Sequence, residues 1–249
     1  MENIQLYNGN CLEIVKQIPD ESIDLICTDP PYKITSRGDN GTSGGMFLKK
    51  SVNNGKVFEN NDLEIEDWID ELYRVLKPNS HCYIMTNNKN ITHYLEIIDK
   101  SQFHFIKNLI WVKDNKIMGQ TYMSQFEYII MVRKGNHRKI NDCGQSDVLQ
   151  IPNRKLKDEA GNSLHDTEKP TALTDILINN STNPNDAVLD PFMGIGGCGV
   201  SAKSLGRRFI GIELNPSYYN IAESRIQTAQ IIKSGASAKK KFLFELKCT

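Results

Sequence analysis

Two short stretches of this chain place chemically useful residues at the end of an apolar run. The first is Asp29-Pro30-Pro31-Tyr32, which follows "IDLICT". A residue before proline is pushed towards extended backbone, so Asp29 and Pro30 leave the run extended and stiff. Neither proline has an N–H, and the segment presents acceptors without competing donors. The Asp29 carboxylate and the Pro30 carbonyl can converge on one group that offers two hydrogens, and an exocyclic NH2 is such a group. Tyr32 supplies a flat face that can stack on a ring. Ring-conjugated amines are poor nucleophiles, because the nitrogen lone pair is delocalised. Holding both hydrogens favours a tetrahedral nitrogen and aims its lone pair at an electrophile, so positioning and electrostatics carry the reaction. The bland alternative is a rigid turn with a solvent-facing aspartate.

The second stretch is "VLDPFMGIGGCG", which contains Gly194-x-Gly196-x-x-Gly199. Glycines at this spacing suit any tight strand-to-helix turn. Here they follow an apolar strand pattern and open a helix, and Glu213 ends the next strand 23 residues after Asp190. An acid at that place can accept from both hydroxyls of a ribose. Asp190 and Pro191 stand between the strand and the glycines. A carboxylate there would repel a pyrophosphate but suits an ammonium and a sulfonium, which favours S-adenosylmethionine over NAD.

The elements that must position these residues alternate along the chain. "IQLYN", "SIDLICT", "HCYIMT", "FHFIKNLIWVK", "FEYIIMVRK", "AVLDPF" and "RFIGIEL" read as strands. "CLEIVKQI", "EIEDWIDELYRVLKP", "NITHYLEIIDK", "KPTALTDILINNS" and "GVSAKSL" read as helices. Trp68, Leu72, Val75 and Leu76 fall on one helical face, and Pro78 is expected to stop that helix. The last helix opens with Asn215 as N-cap and Pro216 at its first position. This order predicts an α/β fold: a doubly wound, mostly parallel sheet with one antiparallel edge strand. Ligands of such sheets bind beyond the carboxyl ends of the strands, where both motifs fall. The expected organisation is a single domain over residues 1–233, with polar, irregular insertions at 33–62 and 135–163, and a basic tail at 234–249.

Composition narrows the class. The 249 residues are 39% hydrophobic with a formal net charge of 0. Apolar runs are far shorter than the roughly 20 residues of a membrane span, and the first residues carry no secretory pattern. Six spread cysteines without a C-x-x-C pair argue against a zinc site or a disulfide framework and fit a reducing, cytoplasmic setting. No metal is expected.

With these motifs in view, the chain resembles the DNA amino-methyltransferases that act on adenine N6 or cytosine N4. "DPPY" is similar to their catalytic motif and "DPFMGIG" to their cofactor motif, and the order of the two resembles the beta group. "HDTEKP" at 165–170 is similar to that group's H-P-T-Q-K-P. The resemblance implies that Asp29, Pro30, Pro31 and Tyr32 hold and stack a flipped base. It implies that Asp190, Pro191, Phe192, Gly194 and Gly196 line the site of S-adenosylmethionine, with Asp29 and Asn215 beside it. Glu213 would take the ribose, Lys169 would reach the methionine carboxylate, and Asn10 and Cys11 would lie near the adenine of the cofactor. Asn10 stands where the family carries Asp, Asp166 and Glu168 replace its Pro and Gln, and Gly197 replaces a frequent Thr.

The resemblance also implies a double-stranded DNA partner and a base flipped out of the duplex. Seven Lys or Arg against two Asp between Arg133 and Lys157 mark a basic stretch. Arg133, Lys134, Arg138, Lys139, Arg154, Lys155 and Lys157 are therefore the expected phosphate contacts. Adenine is expected over cytosine, because Asp before Pro-Pro-Tyr is typical of the adenine enzymes and Ser of the cytosine ones. An oxidoreductase using NAD and a silent DNA-binding protein of the same fold are the readings from other classes. Both a monomer and a homodimer fit the sequence, as does a separately encoded restriction endonuclease as partner.

Overall fold

The computed structural model describes residues 3–31, 63–117, 121–154 and 168–231. In chain order its elements are β1 (Ile4–Asn8), α1 (Cys11–Ile14, extended by a 3-10 turn to Gln17), β2 (Ile23–Thr28), α2 (Ile69–Val75), β3 (Leu76–Thr86), α3 (Ile91–Lys100), β4 (His104–Ile117), β5 (Ser124–Arg133), β6 (Val148–Gln150), α4 (Thr171–Ser181), β7 (Ala187–Asp190), α5 (Gly197–Ser204), β8 (Arg208–Glu213) and α6 (Pro216–Thr228). The strands form one sheet in the order β1-β8-β7-β2-β3-β5-β4-β6.

Strand β2 is buried along its whole length, as its continuous apolar run requires of a strand covered on both faces. Side chains alternate across the sheet, and the two cores follow that alternation. Ile26, Cys82 and Ile84 point to one side, against Trp68, Leu72, Val75 and Ile98 of the α2–α3 layer. Leu25, Cys27, Tyr83 and Val188 point to the other, against Leu177 of α4, Ala202 of α5 and Ile226 of α6. Each fully buried Leu or Ile contributes about 2 kcal/mol relative to an exposed one.

The chain order reverses between β2 and β7, which lie side by side and parallel, with Leu25 opposite Val188 and Ile26 opposite Leu189. This is the topological switch point of the sheet, the place where open α/β sheets bind ligands. Asp29 follows the end of one of these strands and Asp190 ends the other.

Three expectations change. The antiparallel strand is β5, and it is not at the edge: it runs against both β3 and β4, while β6 closes that side parallel to β4. Strand β6 itself lies in a segment expected to be irregular; three residues are too few to show a period. Pro78 does not follow a helix end directly. The helix stops at Val75, and Pro78 lies in β3 where pairing with β2 slips, between Ile23↔Leu76 and Leu25↔His81. A residue without an N–H is tolerated at such a bulge.

The insertion at 33–62, the tail at 234–249 and the 155–163 part of the second insertion lie outside the described residues. No helix among the described residues is long and apolar enough to cross a membrane.

Candidate active site

Parallel pairing of β2 and β7 brings the two motifs together. The Thr28 hydroxyl donates to Asp190 Oδ1 at 2.9 Å. Around this contact opens a cavity of about 780 Å³, lined on one side by Asp29, Pro30 and Pro31 and on another by Asp190, Phe192 and Gly194. Asn10, Cys11, Lys169, Pro191, Glu213 and Asn215 also reach it. Of the expected cofactor residues, only Gly196 stays off the wall.

Gly196 has a packing role instead. Its φ is +80°, and a Cβ there would meet Ala222 Cβ at 2.9 Å, so the glycine lets α6 close on the start of α5. Gly199 is the same kind of residue, since a Cβ on it would overlap Ile226 and Phe209. Gly194, at φ +53°, does face the cavity, and its N–H donates to Glu213 Oε2 at 2.9 Å. Glu213 Oε1 accepts from the Asn215 N–H at 2.7 Å. Two backbone amides thus fix the Glu213 carboxylate at the end of β8. Asn215 is the α6 cap, its Oδ1 accepting from the Ser217 and Tyr218 N–H groups. Asn10 caps α1 in the same way, through Leu12 N–H. Both asparagines shape the wall with side chains already engaged by the backbone.

Burial sets the electrostatics. It pushes Asp190 up to about 7, against the Thr28 hydroxyl and the Phe192 N–H, with Asp29 and Glu213 adding to the rise. Burial also raises Glu213, opposed by the N–H groups of Asn215 and Gly194. Desolvation pushes the Cys11 thiol up to about 12, which makes it an inert wall residue rather than a nucleophile.

Asp29 has two oxygens in different situations. Oδ2 accepts from Lys169 Nζ at 2.5 Å. Oδ1 is buried and has no hydrogen-bond partner among the described residues. A buried carboxylate oxygen left unpaired costs free energy, which a donor group would relieve. Burial raises the Asp29 carboxyl, Lys169 and Lys113 oppose, and Glu127 adds to the rise.

Lys169 is held beside Asp29 by its neighbours. Glu168 Oε1 accepts from Arg225 Nη2 at 2.7 Å, and Arg225 Nη1 donates to Ile195 O at 2.6 Å. The segment before α4 is thereby tied to α6 and to the glycine turn. The Nζ of Lys169 faces two carboxylates, Asp29 and, at 3.3 Å, Glu127. Its amine therefore lies beside Asp29, on the wall of the cavity that it shares with the expected cofactor residues. Thr28, Lys113 and Glu127 were not singled out in the sequence. A lone acid in "FEYIIMV" and a lone lysine in "IWVK" were the available signals.

The basic stretch divides on the structure. Arg133 pairs with His81, whereas Tyr128 pairs with Thr86. Antiparallel β5 therefore carries Arg133 and Lys134 to the amino ends of the parallel strands, away from the clamp. Lys134 is buried, donates to Tyr73 O at 2.9 Å and pairs with Glu21. Arg138 donates to Ser181 O at the far end of α4, and Lys139 adjoins it, two residues before Asn141, whose N–H bonds Asn180 O. These four are not placed to meet a duplex at the clamp. Arg154 is exposed and follows Asn153, which bonds Asp114 near the clamp end of β4. Tyr32, Lys155, Lys157 and Asp166 lie outside the described residues.

The switch-point cavity of this doubly wound sheet brings Asp29, Pro30 and Pro31 beside a glycine turn and Glu213, the arrangement expected of a methyltransferase-type fold. The wall fits S-adenosylmethionine: the acids Asp29, Glu168, Asp190 and Glu213 line it, which suits cationic groups and would disfavour a diphosphate. Comparison with known proteins gives the family. The family model described as DNA methylase, of N6/N4 type, matches residues 23–224, and the chain belongs to that family. It is 32% identical over 243 residues to the Type II methyltransferase M.HinfI of Haemophilus influenzae, covering 89% of this chain and 68% of that one. Among solved structures it is similar to the M1.HpyAVI–SAM complex, with TM-score 0.67 and 27% identity over 90% of this chain and 98% of the other. The PvuII DNA methyltransferase, cytosine-N4-specific, shares the fold at TM-score 0.71 and 18% identity, covering 98% and 92%.

Proposed function

We propose that this chain is a site-specific DNA adenine-N6 methyltransferase acting on a base flipped out of double-stranded DNA. The observation that carries the reading is the juxtaposition at the switch point: Asp29, whose buried Oδ1 has no hydrogen-bond partner among the described residues, lines the same cavity as Gly194, Asp190 and Glu213. S-adenosylmethionine is the methyl donor, and when bound it supplies an electrophilic methyl on a sulfonium. Glu213 accepts from the ribose hydroxyls, and Asp190 offers a carboxylate to the ammonium. Asp29 Oδ1 and the Pro30 carbonyl each accept one hydrogen of the target amine, and Tyr32 stacks on its ring. Ordering the nitrogen this way replaces solvent reorganisation with fixed dipoles. Arg154, Lys155 and Lys157, with the insertion at 33–62, supply the duplex contacts. The Type II relative supports a modification role beside a separately encoded endonuclease.

Adenine is supported by the residue before Pro30. The family's adenine enzymes typically carry Asp there, and a shared fold with a cytosine-N4 enzyme does not decide between the bases. Incubating the protein with labelled S-adenosylmethionine and unmethylated genomic DNA, then digesting to nucleosides, tests it. The expected product is N6-methyladenosine as the deoxynucleoside. Label found only in N4-methylcytosine would reassign the base while leaving the clamp in place.

A further inference from the structure

The clamp aspartate ends a chain of four charges that alternate in sign. Beyond Lys169 comes Glu127 on β5, and beyond that Lys113 on β4, whose Nζ contacts Glu127 Oε1 and lies 4.9 Å from the centroid of the Trp111 ring. Trp111 sits directly opposite Glu127 across the two strands, and Lys113, two residues on, shares its face of the sheet. The Lys113 backbone is fixed in turn by Gln125 Nε2, which donates to its carbonyl at 3.0 Å. The lysine side chains keep 5% and 9% of their exposure and Glu127 keeps 17%.

Fold stability is a weak reason for such an arrangement. Apolar residues of similar volume often replace a buried ion pair without loss. The transfer itself asks only for Asp29 and the base. What the chain does provide is direction. A lysine bonded to Asp29 alone could swing to either oxygen; one that also faces Glu127 is held on the Oδ2 side. Lys113 balances the charge of Glu127, which would otherwise stand against Asp29.

The geometry points to Glu127 and Lys113 as positioning residues for methyl transfer: through Lys169 they keep Oδ2 of Asp29 occupied and leave Oδ1 for the substrate amine. The inference rests on the clamp reading of Asp29 given above. Neither residue touches the reacting atoms.

Four charged groups face Asp29: Lys169 from the segment before α4, Glu127 from β5, Lys113 from β4 and Asp190 from β7. Ionised Asp29 accepts through both oxygens, whereas the protonated acid carries an O–H donor and is the weaker acceptor, so the rate falls on the acid side. Lys113→Met removes a cation and moves that acid limb to higher pH; Glu127→Gln removes an anion and moves it to lower pH. Both lower the single-turnover methyl-transfer rate at the pH plateau by about 10- to 100-fold, the scale of a small misplacement of a reacting group. The KM for S-adenosylmethionine stays unchanged, and Lys113→Arg recovers most of the rate. Limbs that move in the same direction, or plateau rates equal to wild type, overturn the inference. Should a single variant fail to fold, the double variant Lys113→Met/Glu127→Gln, which leaves no lone buried charge, decides: it is expected to stay slow with its limb near the wild-type position, and a wild-type rate overturns the inference. Asp29→Ala in the same assay separates the two claims. Retained transfer there removes the clamp reading itself, whereas loss there with normal Glu127 and Lys113 variants removes only the positioning role.

Discussion

Asp29 and Asp190 show how one residue type takes two roles from its surroundings. Asp29 bonds a lysine through one oxygen and leaves the other, which is buried, without a partner among the described residues, while Asp190 bonds a threonine hydroxyl and a backbone N–H. The rise of Asp190 to about 7 has a consequence for binding. Below that pH the carboxyl is neutral and no longer attracts an ammonium; above it the charge is present. The affinity for S-adenosylmethionine should therefore fall as pH drops through about 7, while an Asp190→Asn variant should bind weakly with little dependence on pH over the same range. Calorimetric titration at several pH values measures both. At this scale the sequence was largely legible. "DPPY" and "DPF" announce carboxylates at strand ends, and each lines the cavity. The partner of Asp29 was not legible as such. Lys169 lies 140 residues away, and only the packing of α4 beside β2 shows that its amine meets the clamp.

Elements decide which glycines serve the ligand. Gly194 turns the chain beneath the cavity, whereas Gly196 and Gly199 let α6 approach α5 and β8. A Cβ at Gly196 would be strained by its positive φ and crowded by Ala222. Gly196→Ala should lower stability by about 2–4 kcal/mol, read from urea unfolding, and saturating S-adenosylmethionine should restore part of it. The spacing G-x-G-x-x-G alone could not make this division, because a turn glycine and a packing glycine look the same in one dimension. Long elements with a clear pattern, such as β2 and the Trp68–Leu72–Val75 face, were readable because burial on one or both faces writes a period into the sequence. Strand β6 was not readable, since its place is set by pairing with β4.

The whole molecule corrects the basic stretch between Arg133 and Lys157. Reading along the chain groups these residues; the reversal of β5 parts them. Arg133, Lys134, Arg138 and Lys139 go to the amino ends of the parallel strands, and Arg154 lies towards the clamp end. In fluorescence-anisotropy titrations across salt concentrations, Arg154→Ala should weaken DNA binding and reduce the slope of log K against log salt by about 1. Arg133→Ala should leave both unchanged, and Lys134→Met should act on stability, through its lost bonds to Tyr73 and Glu21. With a formal net charge of 0, the chain must concentrate its duplex contacts locally rather than rely on overall charge.

On the proposed function, Asp29 and the glycine-turn pocket work on one substrate pair. The most direct measurement compares wild type and Asp29→Ala in single-turnover transfer of labelled methyl to DNA, with S-adenosylmethionine binding measured on the same preparations. No detectable transfer by the variant is expected, with cofactor binding close to wild type. Transfer at the wild-type rate by Asp29→Ala would contradict that reading.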